Sequence, residues 1–305
     1  MNKSLLLASL ALSVLVALTG CASTPKEQSL NIGSMPTQTA SIYAVGIEKG
    51  IFKKHNLNVN LTIFSSAIER DAAATAGTLD GFLTDIMGVV NLNENNYPYK
   101  ITSSEYENFC VLAGKMQAAK TTDQLTGFKV GVANNTVTEY MADTLLKGIN
   151  VEKINLLKVP ERFAALMSGD IQIGVFPEPF VSMIKAKGGY VIVSGAENNL
   201  QPVVFVFSEK ALKEKTQIKN FYSAYNEITA YMKDTPYGDY KDVLLKYKLI
   251  SPELVDQIKL PLEQYGDAKM VSKQDVENVL SWMNEKKMIK NTYPFESLID
   301  QGALN

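Results

Sequence analysis

The sequence predicts two similar α/β lobes followed by a helical segment, and three observations carry that prediction. The pattern Glu-Arg-x-Ala-Ala-x-x-small-Gly occurs twice, from Glu69 to Gly77 and from Glu161 to Gly169. Each copy stands between two apolar stretches of strand character, so each reads strand, helix, glycine stop, strand. Beyond Glu209 the apolar period lengthens to that of a helix, as in Phe221, Tyr222, Tyr225, Ile228, Tyr231 and Met232.

In chain order, Lys3 precedes an apolar run over residues 5–18 that is too short to span a bilayer with ordinary flanks, which reads as a secretory signal. The following Leu18-Thr19-Gly20-Cys21 resembles the bacterial lipoprotein box, in which the cysteine sulfur receives the lipid after cleavage. Residues 1–20 are therefore expected to be removed, Cys21 to be lipidated, and polar residues 21–29 to form a tether. The mature chain is expected to work outside the cytoplasm, held to the membrane. With Cys21 modified, only Cys110 remains, which leaves no internal disulfide. Cys110 sits in the apolar run Phe109-Cys110-Val111-Leu112 and is read as a small buried hydrophobe.

The first lobe starts with a strand over residues 30–33 and a helix over 40–49, stopped by Gly50. Leu57, Val59, Leu61 and Ile63 alternate as a strand. The first pattern copy supplies a helix with Ile68, Ala72 and Ala76 as its apolar stripe, and Gly77 falls where a left-handed residue ends a helix. A strand over 79–83 follows. In the second lobe, residues 128–132 read as a strand and 136–147 as a helix stopped by Gly148. Residues 154–159 read as a strand, the second pattern copy as a helix with Phe163, Leu166 and Met167 inward, and 171–175 as a strand. Later strands are expected over 191–193 and 203–207, then helices around 221–232, 243–247, 254–258 and 276–283 that pack back on the first lobe.

Hydrophobic content of 46 % and charged content of 20 % are ordinary for a packed protein, and a net charge of −2 gives no basic surface for nucleic acid. One histidine, His55, leaves no histidine triad or multi-histidine metal site. No phosphate-binding glycine loop follows a strand. No cofactor, metal or catalytic residue is therefore expected.

Two motifs carry a family resemblance. Residues 47–59, Ile-Glu-Lys-Gly-Ile-Phe-Lys-Lys-His-Asn-Leu-Asn-Val, are similar to the opening of solute-binding proteins of the nitrate, sulfonate, taurine and thiamine-precursor type. Residues 166–180, ending Phe176-Pro177-Glu178-Pro179-Phe180, resemble that family's Glu-Pro segment, with Gln172 where the family usually has Asp. Asp80 matches the counterpart in the first lobe. The resemblance implies a periplasmic-binding-protein fold: two lobes, each a mixed sheet flanked by helices, with a ligand cleft between them. It also implies a solute-binding partner of an ABC permease and ATPase, expected to be a monomer. A solute sensor for a membrane signalling protein, or an enzyme on a related two-lobed fold, is the alternative. Lobe 1 is expected over residues 30–112 and 203–305, and lobe 2 over 113–202.

In open α/β sheets, ligands sit beyond the carboxyl ends of strands, where helix N-termini offer free N–H groups. The junctions that qualify supply Met35 and Thr37, Ser65 and Ser66, Thr84 and Asp85, and Asn134, Asn135 and Thr136 as candidate ligand contacts. Helix capping is the competing role for most of them. Arg70 and Arg162 are the only arginines. A cation in the first turn of a helix opposes the macrodipole, so each needs an anion. Ion pairs with Glu69, Asp71 or Asp85, and with Glu161 or Glu178, are the leading reading, and a bound ligand is the other. Glu178, between two prolines, is a further cleft candidate. Tyr43, Tyr106, Phe109 and Tyr140 offer rings that could stack on a planar ligand. A sulfonate-like anion and a thiamine-precursor or vitamin-like heterocycle both remain open as ligands, and the carboxylates Glu69, Asp85 and Glu178 tilt the expectation toward the heterocycle.

Overall fold

The computed structural model describes residues 28–257, 260 and 262–304, so the expected signal segment and Cys21 lie outside the described residues. The chain begins with β1 (Gln28–Ser34), α1 (Gln38–Glu48), α2 (Ile51–Lys54), β2 (Leu57–Ile63), α3 (Ala67–Thr75), β3 (Gly81–Asp85), α4 (Ile86–Glu94) and β4 (Tyr99–Ser104). It continues with β5 (Cys110–Ala113), β6 (Lys129–Val132), α5 (Val137–Leu145), β7 (Glu152–Asn155), α6 (Val159–Ser168), β8 (Ile173–Phe176), α7 (Phe180–Ala186) and β9 (Tyr190–Ser194). β10 (Val203–Ser208), α8 (Lys215–Asp234), α9 (Lys241–Lys246), α10 (Lys273–Glu285) and α11 (Phe295–Leu298) complete it.

These strands form two five-stranded mixed sheets, ordered β2-β1-β3-β10-β4 and β7-β6-β8-β5-β9. In the first, β1 runs parallel to β2 and β3, while β10 is antiparallel to β3 and β4. The second repeats the plan, with β6 parallel to β7 and β8 and β5 antiparallel to β8 and β9. The antiparallel strand of each sheet is therefore the one the chain enters on crossing from the other lobe. The parallel strands need helical crossovers, which the two pattern copies supply as α3 and α6. Gly77 (φ 70°) and Gly169 (φ 89°) end those helices in the left-handed region, as their spacing predicts.

Several elements depart from the sequence expectation. β1 begins at Gln28, paired with Leu57, so residues 28 and 29 belong to the sheet and not to a tether. β5 lies in the second sheet, so residues 110–112 join lobe 2 and the first crossing falls at residues 105–109. The second falls at 195–202, between β9 and β10. β7 ends at Asn155, because α6 already starts at Val159. Residues 252–257 form turns in place of a helix. The stripe Ile68, Ala72, Ala76 faces outward, with Ile68 60 % exposed, while Arg70 and Ala74 are buried. That inversion comes from the helix's position: α3 turns its charged side toward the space between the lobes.

The C-terminal helices complete lobe 1. α8 lies against α1, where Phe221 packs its ring on Phe52, Phe205 and Phe207, and α10 packs on α4. Burial of such an aromatic group is a large stabilising contribution to the lobe.

Candidate functional site: a cavity between the two lobes

The carboxyl ends of the parallel strands in both sheets face one another across a cavity of about 70 Å³. Lobe 1 contributes Met35, Thr37, Ala67, Arg70, Leu83, Thr84 and Asp85, and lobe 2 contributes Ala133, Thr136, Val137, Thr138, Leu157, Val159, Arg162 and Pro177. Glu107 and Phe109 reach it from the first crossing, and Val203 from the start of β10. The lobes touch through backbone on either side of the cavity. Val159 N–H donates to Ser65 O at 3.1 Å, and Gln38 N–H donates to Glu178 O at 2.9 Å.

Of the sequence candidates, Met35, Thr37, Arg70, Thr84, Asp85 and Thr136 line this cavity, and Ser65, Ser66, Asn134, Asn135 and Glu178 do not. Ser66 caps α3 by accepting from Glu69 N–H, and Ser65 donates its hydroxyl to the Glu69 carboxylate at 2.7 Å. Asn134 and Asn135 give their N–H groups to Asn155 and Glu139. Glu178 folds back on Ser182, accepting from its N–H and hydroxyl at 3.0 Å each. These short polar side chains follow a turn or cap geometry that satisfies nearby backbone groups.

Even within the cavity, several helix N-termini are filled by the protein itself. Glu107 Oε1 accepts from Thr39 N–H at the start of α1, at 2.9 Å. Asp85 Oδ1 accepts from Gly88 N–H at 2.7 Å, and its Oδ2 crosses the cleft to Val137 N–H at 3.3 Å. Thr136 caps α5 through Thr138 N–H. Thr84 keeps a buried hydroxyl without a partner.

The two arginines hold the same position, the fourth residue of α3 and of α6. Each guanidinium lies over a phenylalanine, Arg70 on Phe82 at 5.4 Å and Arg162 on Phe176 at 5.1 Å. Each donates one bond to a main-chain oxygen, Arg70 to Leu83 at 3.2 Å and Arg162 to Leu156 at 2.8 Å. Their charge balance differs. Arg70 holds Asp71 through Nε at 2.9 Å and Nη2 at 2.8 Å. Arg162 is 2 % exposed, its Nε has no partner, and no carboxylate among the described residues pairs with it. Glu161, expected as its partner, points to Lys158 at the surface. Burial alone pulls the Arg162 guanidinium down to about 10. Gly131 makes room for it: a Cβ there would stand 3.1 Å from the Arg162 Cγ.

Glu107 escaped the sequence analysis because it sits in the aperiodic crossing with no motif around it. It is 2 % exposed, Oε2 lacks a hydrogen-bond partner, and burial pushes its carboxyl up to about 7. The Thr37 hydroxyl is beside that carboxyl, yet neither oxygen reaches hydrogen-bonding geometry with the other. Burial also raises Asp85, opposed by the nearby Arg70.

Of the four candidate stacking rings, only Phe109 lines the cavity. Tyr43 packs on Phe205 and Phe221 in the lobe 1 core, Tyr106 on Tyr265, and Tyr140 on Trp282. Among the described residues, no group of metal-ligating side chains is assembled and no helix is long and apolar enough to cross a membrane.

Residues 23–237, well over half of the chain, match the NMT1-like family. The chain belongs to that family. No curated protein matches it significantly in sequence. Solved structures similar to this NMT1-like protein include the ligand-binding component of an ABC-type import system from Staphylococcus aureus with zinc bound, at 15 % identity and TM-score 0.74, covering 91 % of this chain and 98 % of that one. The alkanesulfonate-binding protein SsuA from Xanthomonas axonopodis pv. citri, bound to MOPS, is similar at 12 % identity and TM-score 0.73, covering 90 % and 98 %. The periplasmic nitrate-binding protein NrtA from Synechocystis PCC 6803 is similar at 12 % identity and TM-score 0.63, covering 90 % and 92 %. At these identities the likeness establishes the periplasmic-binding-protein fold, in agreement with the two mixed sheets.

Proposed function

We propose that this NMT1-like protein is the extracytoplasmic solute-binding component of an ABC importer and that its solute is a small anion. The observation that carries the anion is Arg162, a buried guanidinium lining the interlobe cavity with no carboxylate paired to it among the described residues. An isolated buried charge is strongly unfavourable, and an anion with planar or tetrahedral oxygens offsets it through charge-assisted bonds. The family, the fold and the sulfonate- and nitrate-binding proteins of similar structure support the same reading. The planar-heterocycle expectation keeps only Phe109 and Asp85 at the cavity, since three of its four rings pack elsewhere and Glu69 and Glu178 bond to serines.

In this mechanism the solute enters between open lobes and meets Arg162 on α6, with the free Thr84 hydroxyl on the facing lobe. Contacts to both lobes favour the closed state, and the closed form docks on a membrane permease that works with an ATPase. Cys21 carries the lipid that keeps the protein at the membrane; Cys21→Ser is expected to release it to the soluble fraction, measured by cell fractionation and by the loss of lipid mass. The test of solute binding is a thermal-shift screen of the full-length chain in detergent against sulfonates, nitrate, carboxylates and phosphonates. A ligand at a hundredfold excess over its dissociation constant stabilises by about 2.7 kcal/mol. A shift that Arg162→Met abolishes is the expected result. Shifts that survive Arg162→Met would move the anion elsewhere, and none at all would remove the solute reading.

A further inference from the structure

Resting on the solute-binding reading, we infer that Glu107 binds the solute anion as a neutral acid, donating a hydrogen bond from a protonated Oε2, so that binding takes up a proton from solvent. Among the described residues, seven buried side-chain atoms lack a hydrogen-bond partner. Four of them line the one interlobe cavity: Thr37 Oγ1, Thr84 Oγ1, Glu107 Oε2 and Arg162 Nε. Three of these are donors at any ordinary pH, two hydroxyls and a guanidinium N–H. Such a set matches an anion whose oxygens only accept, and the fourth atom joins it only when it carries a proton.

The groups around Glu107 favour that state. Its Oε1 accepts from Thr39 N–H at 2.9 Å, which leaves Oε2 as the oxygen free to hold a proton. Ionised, Glu107 would set a buried negative charge beside the anion, and like charges raise a carboxyl further. Burial already brings it up to about 7. Glu105 on the same crossing and Glu178 from the segment before α7 also oppose its ionisation. Tyr106, and Tyr265 from the segment between α9 and α10, stay neutral, since burial raises both. Of the charged groups lining the cavity, Arg70 is held by Asp71, and Asp85 spends its two oxygens on Gly88 N–H and Val137 N–H. Arg162 is the cation that pulls Glu107 toward ionisation, and an anion seated on Arg162 cancels that pull.

Isothermal titration calorimetry on the full-length chain in detergent tests this with methanesulfonate, nitrate and acetate, which only accept hydrogen bonds near neutral pH. Each titration is run in buffers of different ionisation enthalpy, so that the protons taken up per anion bound are counted directly. Affinity is expected to be flat below about pH 7 and to fall by up to about tenfold per pH unit above it, as uptake rises toward one proton. Glu107→Gln still accepts from Thr39 N–H and donates from its amide nitrogen at every pH, so it is expected to abolish uptake and make affinity independent of pH. Glu105 spends its oxygens on Ser103 and Tyr225, outside the cavity, and Glu105→Gln is expected to retain the uptake. A probe that binds the unaltered protein above about pH 8 without taking up a proton would overturn the inference and leave solute binding intact. Uptake that persists in a folded Glu107→Gln protein would equally overturn it. Failure of all three probes to bind would overturn it too, and with no hit in the thermal-shift screen the small-anion reading falls as well.

Discussion

Arg70 and Arg162 occupy the same position in two copies of one motif, stack on a phenylalanine each, and face one cavity, yet among the described residues only the first has a carboxylate partner. The residue that follows makes the difference. Asp71 bonds Arg70 twice, whereas Phe163 packs edge-on against Phe180 at 5.6 Å and gives Arg162 no charge partner. One lobe thus carries a balanced arginine that braces β3, and the other an unbalanced one, the residue on which the proposed anion site rests. A repeated sequence fixes where a side chain goes, and its neighbour decides what the side chain is for.

Replacing each arginine by methionine breaks the comparison most directly. Arg162→Met removes an uncompensated buried charge while keeping much of its volume, so the unliganded protein is expected to melt higher, while anion affinity falls by about a hundredfold or more. Arg70→Met strands the Asp71 carboxylate and is expected to lower the melting temperature. Calorimetry of both variants reads the two signs, and equal signs would mean that the two arginines are balanced alike.

The crossing between these lobes holds the next largest effect. Glu105 and Glu107 are both fully buried there, and burial raises each carboxyl from 4.5 to about 7. Between those values the folded state holds protons that the unfolded chain has released. Stability is therefore expected to be highest near pH 4.5, to fall as pH rises toward 7, and then to level off, by roughly 1–3 kcal/mol per carboxyl. Glu105→Gln and Glu107→Gln should each flatten the curve from denaturant melts at several pH values. A slope of the opposite sign through this window would show that other groups dominate it.

Asp71→Asn makes lobe 1 resemble lobe 2. It frees Arg70 and is expected to lower stability by about 1 kcal/mol, since Asp71 is partly exposed, while raising anion affinity a few-fold. An unchanged affinity would place Arg70 outside the reach of the solute.

The two copies also separate what was legible in the sequence from what was not. Strand, helix and stop signals are local, so the βα units around Gly77 and Gly169 could be read with no knowledge of the fold. Partner choice is not local: the apolar run at Cys110 announces a strand but not which sheet receives it. Ile68 and Arg70 misled the assignment of faces, because apolar-inward reasoning fails for a helix whose inner side borders a polar cavity. Glu107 left no trace, since a lone carboxylate in an aperiodic crossing looks like any surface glutamate until burial singles it out. The junction residues were found, but whether a threonine or asparagine caps a helix or faces a ligand depends on side-chain direction, which spacing does not encode.

A further tie between the lobes gives the mildest prediction. α10 belongs to lobe 1 by packing on α4, but Trp282 in it reaches α5 of lobe 2. Trp282 Nε1–H donates to Asp143 Oδ2 at 3.1 Å and its ring meets Tyr140 edge-on at 5.5 Å, while Lys286 pairs with Glu139. Lys153 joins the same two carboxylates from β7, at 2.9 and 2.7 Å. The Trp282 and Lys286 contacts form only when the lobes are together, so they favour closure before any solute arrives. Lys286→Met removes one of them, and a part-exposed pair is worth about 1 kcal/mol or less, which amounts to a loss of solute affinity of roughly threefold. Trp282 is the chain's only tryptophan, so its emission reports this contact directly. The variant's emission should lie further to the red without solute and return toward the blue when solute binds. Emission that ignores both the substitution and the solute would mean that the lobes hold together without help from α10.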